Sequence, residues 1–260
     1  MQERTIETRR GIKCQVREAG EGRPLVSFHG AGGLLEAEPL LERLSERYRV
    51  YAPVWPGYGE EPGEDLIEDM LDFALHGWDV IEALGIETPH LLGHSMGGMI
   101  AAEMACLAPH SLGRLALISP AGVWLDDNPI PDLFAMLPFE LAPLLFHDPE
   151  AGVKLLTGGV DFSNMDALQD FMIRNSRRLG TAGKILFPIP NRRLSKRLYR
   201  QTAKTLLIWG ESDKFIPALY AERWQALLPD ADLVTIAEAG HMIPYEQPDA
   251  VAEAIANFLG

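Results

Sequence analysis

The stretch HLLGHSMGG, residues 90–98, is the most informative part of the sequence, because it joins an apolar run of strand length to the pattern G-x-S-x-G and then to the helix-like run 99–107. This context predicts a sharp turn from a strand into a helix, with Ser95 at its apex. A serine on such a turn has a strained backbone, and Gly93 and Gly97 flank it because side chains there would clash. The turn predicts a nucleophilic hydroxyl held above a sheet; the alternative is that Ser95 only caps the helix.

Two loops later in the chain supply partners for this serine. A serine hydroxyl becomes a good nucleophile when a histidine removes its proton, and that histidine needs a third group to fix its tautomer. Asp213 follows the apolar run 205–210, and His241 follows the run 232–237. Both loops lie at the carboxyl ends of predicted strands, which is the edge of an open α/β sheet where ligands bind. The chain order Ser95, Asp213, His241 is the order expected of this turn, so we predict a catalytic triad.

Other assignments of the acid and the base stay open at this level. Glu211 is an alternative acid two residues before Asp213, and Asp126 with Asp127 follows another predicted strand as a second choice. The predicted acid could also be a helix cap, and the predicted base a satisfied loop histidine. His94 precedes the nucleophile, but on a tight turn it is expected to point elsewhere.

Short apolar runs alternate with helical patterns along most of the chain. The runs of strand length are residues 5–9, 12–19, 24–29, 49–54, 90–95, 114–119, 205–210 and 232–237. The helical stripes are residues 40–44, 66–84, 218–228 and 251–259. The first two runs flank Arg10-Gly11 and predict an antiparallel hairpin, whereas the others are apolar on both faces, as parallel strands covered by helices are. We predict an α/β protein with a doubly wound, mostly parallel eight-stranded sheet.

Residues 123–198 interrupt this alternation. They contain no convincing strand, short helical patterns at 133–137, 141–146 and 167–179, and repeated prolines. We therefore predict a helical lobe inserted into one core. The core would comprise residues 1–122 and 199–260.

The composition is that of a globular protein with an acidic balance. The chain has 260 residues, 47% hydrophobic content and a formal net charge of −14, and this charge repels nucleic acids and anionic membranes. Cys14 and Cys106 are far apart and the histidines form no cluster, so neither a disulfide framework nor a metal site is predicted. The first ten residues have no signal-peptide pattern, and no apolar run reaches membrane-spanning length, so the expected location is cytoplasmic.

Together these features resemble the α/β-hydrolase superfamily over nearly the whole chain. The resemblance is carried by HGAGG (residues 29–33), GHSMGG (93–98), GESDKFIP (210–217) and AGHMIPYEQP (239–248), with the insertion where that family carries its cap. Within the family, the chain is most similar to capped, cofactor-free serine hydrolases of the carboxylesterase and meta-cleavage-product C–C hydrolase type. Serine at position 95 argues against haloalkane dehalogenases and epoxide hydrolases, which carry aspartate there.

The resemblance also implies an oxyanion hole. Its donors would be the amide of Met96, directly after the nucleophile, and an amide of the loop after the third strand, with Ala31 as first choice and Gly32 as second. Two fixed donors would each lower the barrier by about 3 kcal/mol. Gly32 is additionally expected to contact substrate. The alternative for residues 29–33 is a flexible turn or a weak phosphate cradle, although the Lys-Ser/Thr ending of such a cradle is missing.

The inserted lobe supplies candidates for substrate binding. Its first part is apolar, as in the lid of a pocket for an uncharged acyl or aryl group, and Trp124 is favoured because it lies just beyond a strand end. These apolar residues could also simply hold the lobe on the core. Residues 171–204 carry ten basic side chains and no acidic one, and Arg174 is the candidate to hold a substrate carboxylate, as the cap arginine of dienoic-acid C–C hydrolases also implies. The alternative is a basic face that pairs with the acidic core.

These observations predict a serine hydrolase that cleaves a carboxylic ester, lactone or thioester through an acyl-enzyme, without cofactor or metal. The alternatives are a C–C bond hydrolase of a meta-cleavage-type dienoic acid and a binding protein of the same fold with a slow triad. Perhydrolase activity by the same serine would be incidental. The expected partner is a small molecule with an apolar acyl or aryl group, with or without a carboxylate, and not a nucleic acid or a membrane. The protein is expected to be a monomer or a homodimer.

Overall fold

The computed structural model describes residues 1–260, with the side chain of Pro138 left outside the description. One sheet has the strand order β1-β2-β4-β3-β5-β6-β7-β8. Its strands are β1 (Gln2–Glu7), β2 (Lys13–Ala19), β3 (Pro24–Phe28), β4 (Arg49–Pro53), β5 (His90–His94), β6 (Leu115–Ile118), β7 (Thr205–Gly210) and β8 (Ala231–Ile236). Strand β2 is antiparallel to β1 and β4, and the other pairs are parallel. The predicted eight-stranded, mostly parallel sheet is confirmed.

Helices cover both faces of the sheet. They are α1 (Pro39–Leu44), α2 (Met70–Ala83), α3 (Met96–Leu107), α4 (Pro138–Leu145), α5 (Pro149–Thr157), α6 (Met165–Leu186), α7 (Leu219–Leu227), α8 (Ile243–Glu246) and α9 (Pro248–Leu259). Helices α2, α3 and α7 pack on one face, and α1, α8 and α9 pack on the other. Successive strand residues point to opposite faces, so Leu91 enters the first core cluster and Leu92 the second. This is why the strands are apolar at consecutive positions.

Residues 119–204 connect β6 to β7 and contain α4, α5 and α6, with no strand among the described residues. Two details differ from the sequence expectation. Helix α5 was not predicted; Asp148 caps it by accepting hydrogen bonds from the amides of Glu150 and Ala151. Helix α6 continues beyond residue 179 through two glycines, because its last turns are buried against the core, including Ala182 and Ile185. Packing there outweighs the low helix propensity of glycine.

The basic run 171–204 mainly ties the inserted segment to the core. Arg177 forms an ion pair with Glu64 at 2.7 Å, and the Nζ of Lys184 donates to the backbone carbonyl of the same glutamate at 2.5 Å. Arg197 forms an ion pair with Glu103 on α3. Arg177 and Arg197 thus pair with acidic residues of the core, which the sequence analysis offered as the alternative to substrate binding.

Helices of membrane-spanning length and apolarity do not occur in the described part of the chain. Nor do three or more His, Cys, Asp or Glu side chains gather there in an arrangement that could hold a metal ion. Cys14 and Cys106 are both buried and unpaired. Burial raises the pKa of each thiol to about 12, so both stay protonated at neutral pH.

Candidate active site

Ser95 lies on the turn between β5 and α3, with a φ of 53° in the left-handed region. The backbone packs so closely here that a Cβ on Gly97 would stand 2.1 Å from the carbonyl oxygen of Phe28. A Cβ on Gly93 would stand 2.5 Å from the carbonyl oxygen of Gly97. These two contacts are the physical reason for the glycines of the G-x-S-x-G pattern, and they hold the serine at the carboxyl edge of the sheet.

Ser95, His241 and Asp213 form one chain of hydrogen bonds. The Nδ1 of His241 lies 2.9 Å from Oδ2 of Asp213, and its Nε2 lies 2.9 Å from Oγ of Ser95. Because an ionised carboxylate only accepts, the proton resides on Nδ1, and Nε2 is free to accept the serine proton. All three residues are less than a tenth exposed. The structure therefore brings together the three residues that the sequence nominated.

Asp213 is itself held rigidly. Its Oδ1 accepts hydrogen bonds from the amides of Phe215 at 3.0 Å and Ile216 at 2.8 Å, which leaves Oδ2 for the histidine. The alternative acids are placed elsewhere: Glu211 is exposed, and Asp126 accepts from the indole of Trp124. The carboxylate that orients the imidazole is that of Asp213.

The loop after β3 lies beside the serine. A Cβ on Gly30 would stand 3.4 Å from Cβ of Ser95, so the following amide, that of Ala31, is close to the nucleophile. His29 holds the start of this loop: the amide of Trp55 donates to its Nε2, and its Nδ1–H therefore donates to the carbonyl of Gly30 at 2.8 Å. Within the described residues, the amides of Ala31 and Met96 donate to no backbone acceptor. The two expected oxyanion donors are thus unengaged.

The side chain of His94 is not directed at the Ser95 hydroxyl, but it lies within the site and contacts the backbone of His241. Its Nε2 lies 2.9 Å from the backbone carbonyl of His241, and the two imidazole rings are 5.2 Å apart. Burial lowers the pKa of the His94 imidazole to about 3, which keeps the ring neutral. The sequence analysis missed this contact, because a pattern does not reveal which distant backbone group faces a side chain.

A cavity of about 460 Å³ opens onto the serine between the core and the inserted segment. Apolar side chains from both regions line much of it, and Gly32 of the β3 loop is part of the wall. They include Leu133, Met136, Leu141, Leu145, Leu155 and Phe215. Trp124, which the sequence nominated for substrate contact, is not among the lining residues; it packs against the core.

Two arginines of α6 face this cavity. Arg174, the predicted carboxylate ligand, is exposed and belongs to the lining. Arg178, one turn later, is half-buried, and its Nε is buried without an acceptor among the described residues. Burial, reinforced by the charge of Arg174, lowers the pKa of Arg178. A desolvated cation without an acidic partner in an apolar cavity is a ready site for an anion.

A buried carboxylate on the opposite wall was not foreseen. Oε1 of Glu38 accepts from the amide of Leu35 at 2.6 Å and from the hydroxyl of Tyr245 at 2.7 Å. Burial raises the pKa of Glu38 to about 6. The bond to Tyr245 ties the β3 loop to the helix that follows His241. A glutamate before a short helix looks like an ordinary surface residue in the sequence, so no signal marked it.

Comparison with known proteins places this geometry in context. The model described as "Alpha/beta hydrolase family" matches residues 25–254. The chain is 30% identical to the dihydrolipoyllysine-residue acetyltransferase component of the acetoin cleaving system of Cupriavidus necator, over 96% of this chain and 67% of that protein. It is 28% identical to 2-hydroxy-6-oxo-6-phenylhexa-2,4-dienoate hydrolase of Burkholderia cepacia, over 95% and 91%. The solved carboxylesterase CesB (YbfK) of Bacillus subtilis superposes with a TM-score of 0.73 at 23% identity, over 99% and 91%.

Proposed function

Because the chain belongs to the alpha/beta hydrolase family, we propose that it is a serine hydrolase of small molecules that cleaves a carboxylic ester, lactone or thioester through an acyl-enzyme. Ser95 is the nucleophile, His241 the general base and acid, and Asp213 the group that orients the histidine. The amides of Ala31 and Met96 form the oxyanion hole. Residues 123–198 act as the cap over a core of residues 1–122 and 199–260.

The hydrogen-bond chain from Ser95 to Asp213 carries this proposal. A serine at this position without a base would be a helix cap, and a histidine without the aspartate would lack a fixed tautomer. Here both distances are 2.9 Å and every member is buried, so the serine proton has a defined acceptor and the resulting imidazolium a defined counter-charge.

The reaction runs through two tetrahedral intermediates. Oγ of Ser95 bonds to the substrate carbonyl carbon while its proton moves to Nε2 of His241, and the carbonyl oxygen becomes an oxyanion that accepts from the two amides. The bond from the acyl carbon to the leaving group (C–O in an ester or lactone, C–S in a thioester) breaks as His241 returns the proton to the leaving atom, which leaves an acyl-Ser95. Water then loses a proton to Nε2 of His241 as it attacks the acyl carbon. The bond between that carbon and Oγ of Ser95 breaks as His241 returns this proton to Oγ, which releases the acid and restores the serine hydroxyl.

The cavity supports a substrate with an apolar part and a carboxylate. The apolar lining suits an acyl or aryl group, and Arg178 with Arg174 offers a carboxylate two guanidinium groups one helical turn apart. The same observation favours a second candidate, hydrolysis of a C–C bond in a dienoic acid, since the Burkholderia cepacia relative carries the name of such a hydrolase. In that reaction the bond broken joins the attacked carbonyl to carbon, and the leaving carbon takes the proton.

Labelling with a fluorophosphonate tests the activated serine directly. We expect the wild type to be labelled and to release nitrophenol from p-nitrophenyl esters in a burst, and the Ser95→Ala variant to do neither, with turnover lower by about 10⁴-fold or more. A folded wild type that is neither labelled nor active would contradict the proposal and favour a binding protein. If the enzyme hydrolyses a dienoic acid, followed by its loss of absorbance, faster than it hydrolyses any ester, C–C bond hydrolysis becomes the favoured function.

A further inference from the structure

We infer that His94 is a positioning residue, which holds His241 in line with Ser95 through a single hydrogen bond to the His241 backbone. The inference rests on the proposed function, because it concerns the same histidine. It adds a fourth side chain to the site. That side chain touches neither the proton that moves nor the bond that breaks.

The first support is the chemistry of the contact. The partner of Nε2 of His94 is the carbonyl oxygen of His241, at 2.9 Å. A carbonyl only accepts, so Nε2 of His94 carries the proton and Nδ1 carries the lone pair. The tautomer of His94 is therefore the opposite of that of His241, whose Nδ1 is protonated. His94 is a donor to the backbone and is not arranged to relay a proton to the serine.

The second support is where the two ends of this bond lie. His94 is the last residue of β5, and its backbone is fixed by the parallel ladder to β6, where it pairs with Ile118. Ser95 follows it immediately. The Ser95 hydroxyl engages the side chain of His241, and the His94 side chain engages the backbone of His241. Two adjacent residues thus hold the histidine at two points, which fixes its distance from Oγ as well as its direction.

The histidine loop needs such a restraint. His241 lies between the end of β8 and the short helix α8, outside regular structure. Its neighbours are bonded to other segments: the amide of Gly240 donates to Glu246 at the end of α8, and the amide of Met242 donates to the carbonyl of Leu145 in the inserted segment. The hydrogen bond from His94 connects the backbone of this loop to the strand that precedes the nucleophile.

Burial fixes the charge state of this donor. The titratable groups that bear on His94 are His241, Asp213 and His29, and desolvation outweighs them in lowering the pKa of His94 to about 3. The His94 ring is therefore neutral at neutral pH. Its hydrogen bond therefore does not depend on pH near neutrality. Loss of this bond should leave the shape of the pH–rate profile unchanged.

Three substitutions test whether His94 acts as a hydrogen-bond donor or only fills space in the site. His94→Gln keeps an N–H donor at the end of a side chain of similar reach, His94→Asn keeps the amide but is one methylene shorter, and His94→Leu fills the space without a donor. We expect His94→Gln to retain kcat to within about threefold, with an unchanged pH profile. We expect His94→Leu and His94→Asn to lose about 10- to 100-fold in kcat and in the rate of fluorophosphonate inactivation, with KM little changed.

A second readout is independent of turnover. The proton shared by Nδ1 of His241 and Asp213 gives a downfield proton NMR signal, which should persist in His94→Gln and broaden or disappear in His94→Leu. Full kcat in a folded His94→Leu variant would overturn the inference, as would a folded His94→Gln that is as slow as His94→Leu. If His94→Leu does not fold, the comparison of kcat between His94→Asn and His94→Gln tests the inference instead. A wild type that resists the fluorophosphonate contradicts the proposed function instead, and the NMR comparison then judges the positioning role alone.

Discussion

The two walls of the active-site cavity are built on different principles. On the core side, Ser95, Asp213 and His241 are buried and each polar atom of the triad has a partner. On the side of the inserted segment, Arg178 has a buried nitrogen without a partner, and apolar side chains such as Met136 and Leu155 line the cavity. The triad side chains are fully hydrogen-bonded before any substrate arrives, whereas the buried Nε of Arg178 still lacks an acceptor.

This difference assigns separate tasks to the two regions. Preorganised groups lower a barrier because they need not rearrange during the reaction, so we expect the reaction rate to depend on the core. A desolvated cation and an apolar lining select a ligand, so we expect the choice of substrate to depend on α6 and its neighbours. Substitutions in the core should change kcat and the global stability, and substitutions in the inserted segment should change KM and little else.

The largest effect is expected at the orienting carboxylate of the core. Asp213→Asn should lower kcat about 10³- to 10⁴-fold, because the amide favours the wrong histidine tautomer. Steady-state hydrolysis of a p-nitrophenyl ester measures this. The matched control is Glu211→Gln, an exposed carboxylate in the same loop, which should leave kcat nearly unchanged. A larger decrease of kcat in the Glu211→Gln variant would instead identify Glu211 as the acid of the triad.

The next effect separates the backbones of the two regions. Gly97→Ala should lower the free energy of unfolding by about 3 kcal/mol or more, since its Cβ would overlap the backbone of β3. Gly159→Ala, at a φ of 68° with open space around it, should cost only about 1 kcal/mol. Urea unfolding followed by tryptophan fluorescence compares them. Equal losses would mean that the tight turn is no more constrained than a loop of the inserted segment.

Substrate choice should respond most to Arg178. Arg178→Met should raise KM about tenfold for an ester that carries a carboxylate, with little change for its neutral counterpart or in kcat. The exposed Lys196→Met serves as the control for loss of a positive charge. Because the guanidinium lacks a partner, its removal should not lower the stability of the protein. An equal rise of KM for both esters would contradict a carboxylate site.

The smallest effect concerns the attachment of α6. The hydrogen bonds from Arg177 hold the pKa of Glu64 to about 2, so its carboxylate stabilises the folded state above the ordinary value of 4.5, and this contribution is lost as the pH falls from 4.5 through about 2. Glu64→Gln should cost about 1 kcal/mol at pH 7, a small value because solvent screens a partly exposed pair. The difference from wild type in urea unfolding should shrink at pH 3, and the exposed Glu60→Gln should show neither effect.

The sheet and the triad could be predicted because local rules govern them. Strands covered on both faces need apolar residues at consecutive positions, as Leu91 and Leu92 show, and the serine turn needs glycine at two fixed positions. The chain order of Asp213 and His241 then follows from the strands that carry them. Each of these signals lies within a few residues of the feature that it predicts.

The inserted segment and the supporting contacts could not be predicted as well, because contacts distant in sequence decide them. Helix α6 continues past Gly180 since the core covers its end, and no local pattern contains that information. Among the arginines of α6, the sequence favoured Arg174, whereas burial distinguishes Arg178. Likewise the bonds from His94 to His241 and from Tyr245 to Glu38 join segments whose proximity only the folded chain establishes.

The inserted segment connects two neighbouring parallel strands of the sheet. Residues 119–204 begin after β6 and end before β7, and these strands pair directly, with Leu115 opposite Thr205. The entropy of closing a loop between fixed ends rises only slowly with its length. Because Val123 near its start and Leu194 near its end are buried in the core, we expect that the residues between them could be exchanged for a segment of another size without disturbing the strand ladder. If the proposed function holds, we expect such an exchange to change the substrate preference while the geometry of Ser95, Asp213 and His241 is kept.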